Sequence, residues 1–112
     1  MKTKRNVQLA GLHPVMRPVL KAAESLWKQF GRPEGVTVVS TLDSVHSSGS
    51  WHPYGLAVDL RTRYFEDEVL VKVYQKLKGA LPQYDVILHT GSQPHIHVEI
   101  GNELAKELGV LF

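Results

Sequence analysis

Residues 95–100 read His-Ile-His-Val-Glu-Ile and alternate strictly between polar and aliphatic side chains. Successive side chains of a β-strand point to opposite faces, so the pattern predicts a strand with His95, His97 and Glu99 on one face. The aliphatic residues on the other face need a hydrophobic core to cover them. The polar face places two imidazoles roughly 7 Å apart along the strand. The sequence therefore predicts a sheet with one buried face and one face that can carry chemistry.

The rest of the chain predicts helices and strands that surround this strand. Apolar residues at three- and four-residue spacing predict one helix over 12–31 and another over 66–78. His13 is expected to lie at the entry of the first helix. Strand patterns cover 36–41, 56–60 and 84–89, and Asn102 is expected to cap a short last helix. A turn at 91–94 makes a hairpin of the last two strands. Short connections and this hairpin favour an α+β fold, a small antiparallel sheet flanked by helices.

Length and composition restrict the class of protein. The chain of 112 residues has the length of one domain, so residues 1–112 are expected to form a single domain. The absence of cysteine excludes disulfides, thiolate zinc fingers, iron–sulfur clusters and cysteine nucleophiles. The apolar runs are too short for a membrane-spanning helix, and the basic first five residues are expected to be solvated. No apolar signal core follows them, so we expect cytoplasmic synthesis without a signal peptide.

A second polar feature lies between residues 50 and 59, where His52 falls on a loop and Asp59 on an otherwise apolar strand. A carboxylate in such a strand needs a partner, because an unpaired buried charge is costly. One candidate is an ion pair with Arg61 or Arg63. The other is a metal ion held by His52, Asp59 and one histidine of the last strand. Three protein ligands without cysteine leave one position for water, which is typical of catalytic zinc sites.

Two motifs resemble a known family of zinc peptidases. They are Ser50-x-His52-x-x-Gly55-x-Ala57-x-Asp59 and His95-x-His97. The family groups D-Ala-D-Ala carboxypeptidases, L-alanyl-D-glutamate endopeptidases, lysostaphin-type enzymes and the hedgehog signalling domain. The first motif matches at every specified position, and the two motifs span about half of the chain. The helix-first layout is similar to the small phage-type and cell-wall members, which implies a hedgehog/D-Ala-D-Ala peptidase-like fold.

The resemblance implies roles for the motif histidines and the aspartate. His52, Asp59 and His97 would bind one zinc ion, and His95 would be the catalytic base or stabilise the transition state. Strand geometry alone leaves open that both histidines of the last strand bind the metal, which would close the site with four ligands as in structural zinc sites. His89, at the end of the preceding strand, is expected to have a structural role.

Further residues beside the motifs receive supporting roles. His46 matches an auxiliary catalytic histidine near the metal in the hedgehog-like members. Many carboxypeptidase members place a catalytic glutamate three residues before the last ligand, and this chain has Pro94 there, which shifts the base role to His95. Ser50 and Glu99 are expected to contact a metal ligand or the substrate, and for Glu99 an ordinary solvated side chain is the alternative.

The implied activity is zinc-dependent hydrolysis of amide bonds in D-amino-acid-containing stem peptides of peptidoglycan. A monomer acting on the cell wall after release, without a nucleic-acid or membrane partner, is expected. Two alternatives remain open, namely a zinc-containing binding module without catalysis and a small metal-dependent nuclease. Such nucleases usually carry a metal-binding His or Asn on a helix after the hairpin, where residues 102–108 offer only Asn102, Glu103 and Glu107.

Overall fold

The computed structural model describes residues 1–5, 7, 9–41 and 55–110. Over these residues the chain forms an α+β fold with a five-stranded mixed sheet and three α-helices. The strands are β1 (Lys2–Thr3), β2 (Thr37–Ser40), β3 (Ala57–Arg61), β4 (Tyr84–His89) and β5 (His95–Ile100). The helices are α1 (Arg17–Gln29), α2 (Asp67–Ala80) and α3 (Asn102–Glu107). No helix within this part of the chain is long and apolar enough to cross a membrane.

The sheet has the strand order β1-β2-β3-β5-β4. Strands β2 to β5 pair antiparallel, as expected, whereas β1 pairs parallel with β2 and makes the sheet mixed. The amide of Lys2 donates to the carbonyl oxygen of Val36 at 2.9 Å, and that of Lys4 donates to Val38 at 2.8 Å. The side chains of the first residues are exposed, but their backbone is paired, so the expected solvated terminus is wrong for the main chain.

The helix boundaries follow local signals. A 3₁₀ turn over Pro14–Met16 precedes α1, and the Nδ1 atom of His13 accepts a hydrogen bond from the Val15 amide at 3.0 Å, as befits a residue that enters a helix. Asn102 is the first residue of α3 and Gly101 is its N-cap, so the capping role expected for Asn102 is wrong.

One face of the sheet forms the core with α1 and α2. The side chains of Val58 and Leu60 on β3 are fully buried, as are the three aliphatic residues of β5. They belong to one hydrophobic cluster with Val19, Ala23 and Trp27 of α1 and with Leu70, Val73 and Leu77 of α2. The indole Nε1 of Trp27 also donates to the carbonyl oxygen of Arg61 at 3.0 Å, which ties α1 to the end of β3. Alternation along the strands leaves the polar residues on the opposite face.

The structure explains why position 55 of the first motif is a glycine. Gly55 has φ +71°, and a Cβ atom at this position would lie 2.4 Å from the carbonyl oxygen of Gly11. The Gly55 carbonyl accepts a hydrogen bond from the His13 amide at 2.9 Å. The backbone entering β3 therefore passes so close to residues 11–13 that only glycine fits without strain.

Candidate functional site

Strands β3 and β5 form the centre of the polar face. Their antiparallel register places Asp59 opposite His97 and Arg61 opposite His95. The three aliphatic residues of β5 are fully buried, whereas His95, His97 and Glu99 between them are half-buried. The predicted alternation of β5 is therefore confirmed, and β3 brings Asp59 to the same face.

The His97 ring lies between two carboxylates. Its Nδ1 atom is 2.8 Å from Oδ1 of Asp59, and its Nε2 atom is 2.7 Å from Oε1 of Glu99. Carboxylates only accept hydrogen bonds, so both ring nitrogens carry protons when both bonds form. Burial alone would lower the pKa of His97, but the hydrogen bonds and charges of Asp59 and Glu99 raise it to about 9. Two carboxylates around one imidazolium make this position favourable for a cation.

Asp59 directs its side chain to histidines. Its carboxylate is 10% exposed, so burial without a partner would be costly. Within the described residues it pairs with His97 at 2.8 Å and approaches Nε2 of His95 at 3.8 Å. The alternative ion pair with Arg61 or Arg63 is not formed in this part of the chain.

His95 presents a nitrogen to the Asp59 carboxylate. Its Nδ1 atom is 2.9 Å from the carbonyl oxygen of Gln93, which can only accept, so Nδ1 carries a proton. In the neutral ring the lone pair then lies on Nε2, 3.8 Å from Oδ1 of Asp59. The side chain is 27% exposed and can be reached from solvent. His95 therefore has one ring nitrogen hydrogen-bonded to the backbone and the other next to the Asp59 carboxylate.

His89 on β4 extends the group of histidines, whereas the sequence predicted only a structural role for it. Its ring stacks on that of His95, with centroids 4.5 Å apart and planes 13° from parallel, and lies edge-on to His97 at 6.3 Å. Partial desolvation, together with the charges of His95 and His97, lowers the pKa of His89 although its side chain is exposed. The signal that could have found it is the hairpin, since strand ends joined by a turn at 91–94 face each other.

The expected metal ligands are described in part. Asp59 and His97 are adjacent, whereas His52, the third expected ligand, lies outside the described residues, as do His46 and Ser50. Among the residues that are described, no group of three or more His, Cys, Asp or Glu side chains is arranged to hold a metal ion. The described site thus contains two of the three expected ligands.

The donor atoms that are described suit zinc. An imidazole nitrogen and a carboxylate oxygen 2.8 Å apart can bind the same ion, and both are common zinc ligands. Glu99, on the second ring nitrogen of His97, matches the carboxylates that orient metal-binding imidazoles. The half-buried Glu99 therefore has a partner inside the site, unlike the solvated side chain that was its alternative.

Comparisons with protein-family models, with curated proteins and with solved structures find no match to this chain. A function for the site therefore depends on the two motifs and on the contacts of their residues. Those contacts are the His97 bonds to Asp59 and Glu99, and the approach of His95 to the same carboxylate.

Proposed function

We propose that this chain is a zinc-dependent peptidase, with a hedgehog/D-Ala-D-Ala peptidase-like fold, that hydrolyses amide bonds in peptidoglycan stem peptides containing D-amino acids. The observation that carries the proposal is the His97 ring between Asp59 and Glu99, with the Nε2 atom of His95 directed at the same carboxylate. A buried cation position beside an accessible imidazole combines the two features that metal-assisted amide hydrolysis requires.

His52, Asp59 and His97 would hold one zinc ion. The charge of the site supports this assignment, because two carboxylates already stabilise a positive charge on His97. When bound, zinc lowers the pKa of a coordinated water to about 7 and polarises a peptide carbonyl. Glu99 would keep Nε2 of His97 protonated, so that Nδ1 is the ligating nitrogen.

His95 would move the protons in the reaction. Its unprotonated Nε2 would accept a proton from the attacking water and then donate it to the leaving amine. The hydrogen bond from Nδ1 to the Gln93 carbonyl keeps that nitrogen protonated throughout. His46 would donate a hydrogen bond to the oxyanion of the tetrahedral intermediate.

The substrate class follows from the motif resemblance, and the net charge of +2 agrees weakly with an anionic cell wall. The test is digestion of purified peptidoglycan with the zinc-loaded protein, followed by mass spectrometry of the released fragments. We expect new peptide amines and carboxylates at one bond type of the stem peptide, and none with Asp59→Asn.

Asp85→Asn is the matched control, because Asp85 also lies on the polar face, on β4 opposite Glu99. This variant is expected to cleave as the wild type does. A zinc-loaded wild type that cleaves neither peptidoglycan nor its isolated stem peptides would contradict the proposal and favour a non-catalytic binding module.

A further inference from the structure

His89 belongs to neither motif, yet among the described residues its ring makes the closest contact with the ring of His95. The two residues are directly opposite in the register of β4 and β5. Their rings are nearly parallel at 13°, with centroids 4.5 Å apart, which is a stacked arrangement. The His89 ring is also edge-on to the His97 ring, with centroids 6.3 Å apart and planes at 87°, and this contact restricts rotation of the His89 ring. His89 thus lies against the two histidines of β5.

We propose that His89 is a positioning residue, whose ring covers one face of His95 and keeps the Nε2 atom of His95 directed at Asp59. This inference rests on the proposed function, because it explains how the base of that reaction is oriented. The role requires a flat ring at position 89 and no proton transfer or metal binding by His89 itself.

His95 needs such a restraint on its ring orientation because its side chain is 27% exposed. The torsion that rotates an imidazole about its Cβ–Cγ bond has a broad energy profile, so the ring does not hold one plane by itself. Among the described residues, the Gln93 carbonyl contacts only the Nδ1 atom of His95, at 2.9 Å, and one such contact does not fix the plane of the ring. Stacking on His89 blocks this motion on one side. A displacement of about 1 Å in a reacting group can lower the rate about 100-fold.

The role of the flat ring can be separated from the chemistry of an imidazole. Phenylalanine has a flat ring of similar size and no nitrogen, whereas leucine is apolar and bulky but not flat. Both substitutions remove the imidazole, so His89→Phe and His89→Leu differ mainly in their ability to stack. His89 is exposed at the end of an edge strand, which makes both variants compatible with folding.

The experiment compares the wild type with these two variants, in the zinc-loaded protein and with a synthetic stem peptide. We expect His89→Leu to lower kcat about 10- to 100-fold while KM and zinc content stay close to those of the wild type. His89→Phe is expected to keep most of the wild-type kcat. Melting temperatures of all proteins report folding, and His89→Ala replaces His89→Leu if that variant does not fold.

A second readout does not depend on activity. Nitrogen-15 NMR of histidine-labelled protein reports which ring nitrogen of His95 carries the proton. We expect one tautomer, protonated at Nδ1, in the wild type and in His89→Phe, and averaged signals in His89→Leu. If the wild type cleaves no peptide, the proposed function fails, and the tautomer comparison still decides whether His89 orients His95.

Three results would overturn the inference. Loss of kcat in His89→Phe as large as in His89→Leu would show that the nitrogen atoms of His89 are required. Loss of zinc in either variant would make His89 a ligand. A wild-type tautomer and a wild-type kcat in His89→Leu would show that the stack does not position His95.

Discussion

The Nδ1 atom of His97 lies 2.8 Å from Oδ1 of Asp59, although 38 residues separate the two side chains along the chain. The contact exists because β3 and β5 pair in a register that places these residues opposite each other on the polar face. It joins the last residue of the first motif to the last histidine of the second. Asp59 therefore contacts the histidines of β5, and its role can be tested by substitution without changing the rest of β3.

Zinc content is the first property to measure. Protein purified without chelator is expected to contain one zinc ion per chain, and Asp59→Ala and His97→Ala are expected to contain almost none. Each substitution removes one of three expected ligands, and Asp85→Asn on the neighbouring strand should retain the metal. Elemental analysis of the four proteins checks this. Full zinc in Asp59→Ala would contradict the ligand set.

The metal-free protein is expected to lose stability as the pH rises. Because the folded state raises the pKa of His97 from 6.5 to about 9, it binds this proton more tightly than the unfolded state does. The stabilisation, roughly 3 kcal/mol, is fully present below pH 6.5 and is lost as the pH rises through about 9. Urea unfolding between pH 6 and 9.5, in the presence of chelator, measures it.

His97→Gln is the control for this pH dependence, because it keeps a polar side chain between the carboxylates but removes the titrating group. Its free energy of unfolding should change much less over the same pH range. A wild-type stability that rises with pH between 6.5 and 9 would contradict the charged state of His97 in the metal-free protein.

The strands next to the site could be predicted from the sequence because their signals are local. The alternation of residues 95–100 predicts both the bounds and the two faces of β5, and the structure agrees with both. Strand 84–89 is likewise found where its pattern places it. Neither signal needs knowledge of distant residues, so each strand could be identified from its own side chains.

Features that depend on pairing between elements could not be predicted in the same way. The stack of His89 on His95 requires the register of the hairpin, and the raised pKa of His97 requires the carboxylate of β3. The two residues of β1 are too few to show any periodicity, so their parallel pairing left no signal. Within the site, the sequence predicted that Asp59 and His97 lie together, but it did not predict the stack of His89 on His95.

Zinc binding should release a proton from His97. The ligating imidazole must be neutral, and at pH 8 most of the metal-free protein carries the proton because the pKa of His97 is about 9. Calorimetric titration in buffers of different ionisation enthalpy should therefore show about one more proton released per zinc at pH 8 than at pH 10. Equal release at both pH values would contradict His97 as a ligand that is protonated in the metal-free protein.

The motif glycine is expected to be required for folding. Gly55→Ala places a methyl group 2.4 Å from the Gly11 carbonyl oxygen, whereas Gly109 has nearly the same φ, +73°, and open space around it. Gly109→Ala should therefore lower the free energy of unfolding by about 1–2 kcal/mol through the left-handed backbone alone. Gly55→Ala should lower it by more, as measured by urea unfolding. Equal losses of unfolding free energy in the two variants would show that the close approach to Gly11 does not add to the destabilisation of Gly55→Ala.

Replacing His95 and replacing His97 are expected to have different effects on zinc content and on activity. His97 has its ring nitrogens on Asp59 and Glu99, whereas His95 is held by a backbone carbonyl and keeps Nε2 available. His95→Ala should therefore retain zinc and folding but lower the rate of stem-peptide cleavage about 100- to 10,000-fold, the range for a general acid–base group. His97→Ala should lose both zinc and activity. Zinc content and stem-peptide cleavage, measured side by side for the two variants, decide between these roles. If His95→Ala loses zinc as completely as His97→Ala does, both histidines bind the metal. That outcome would favour a closed structural site over a catalytic one.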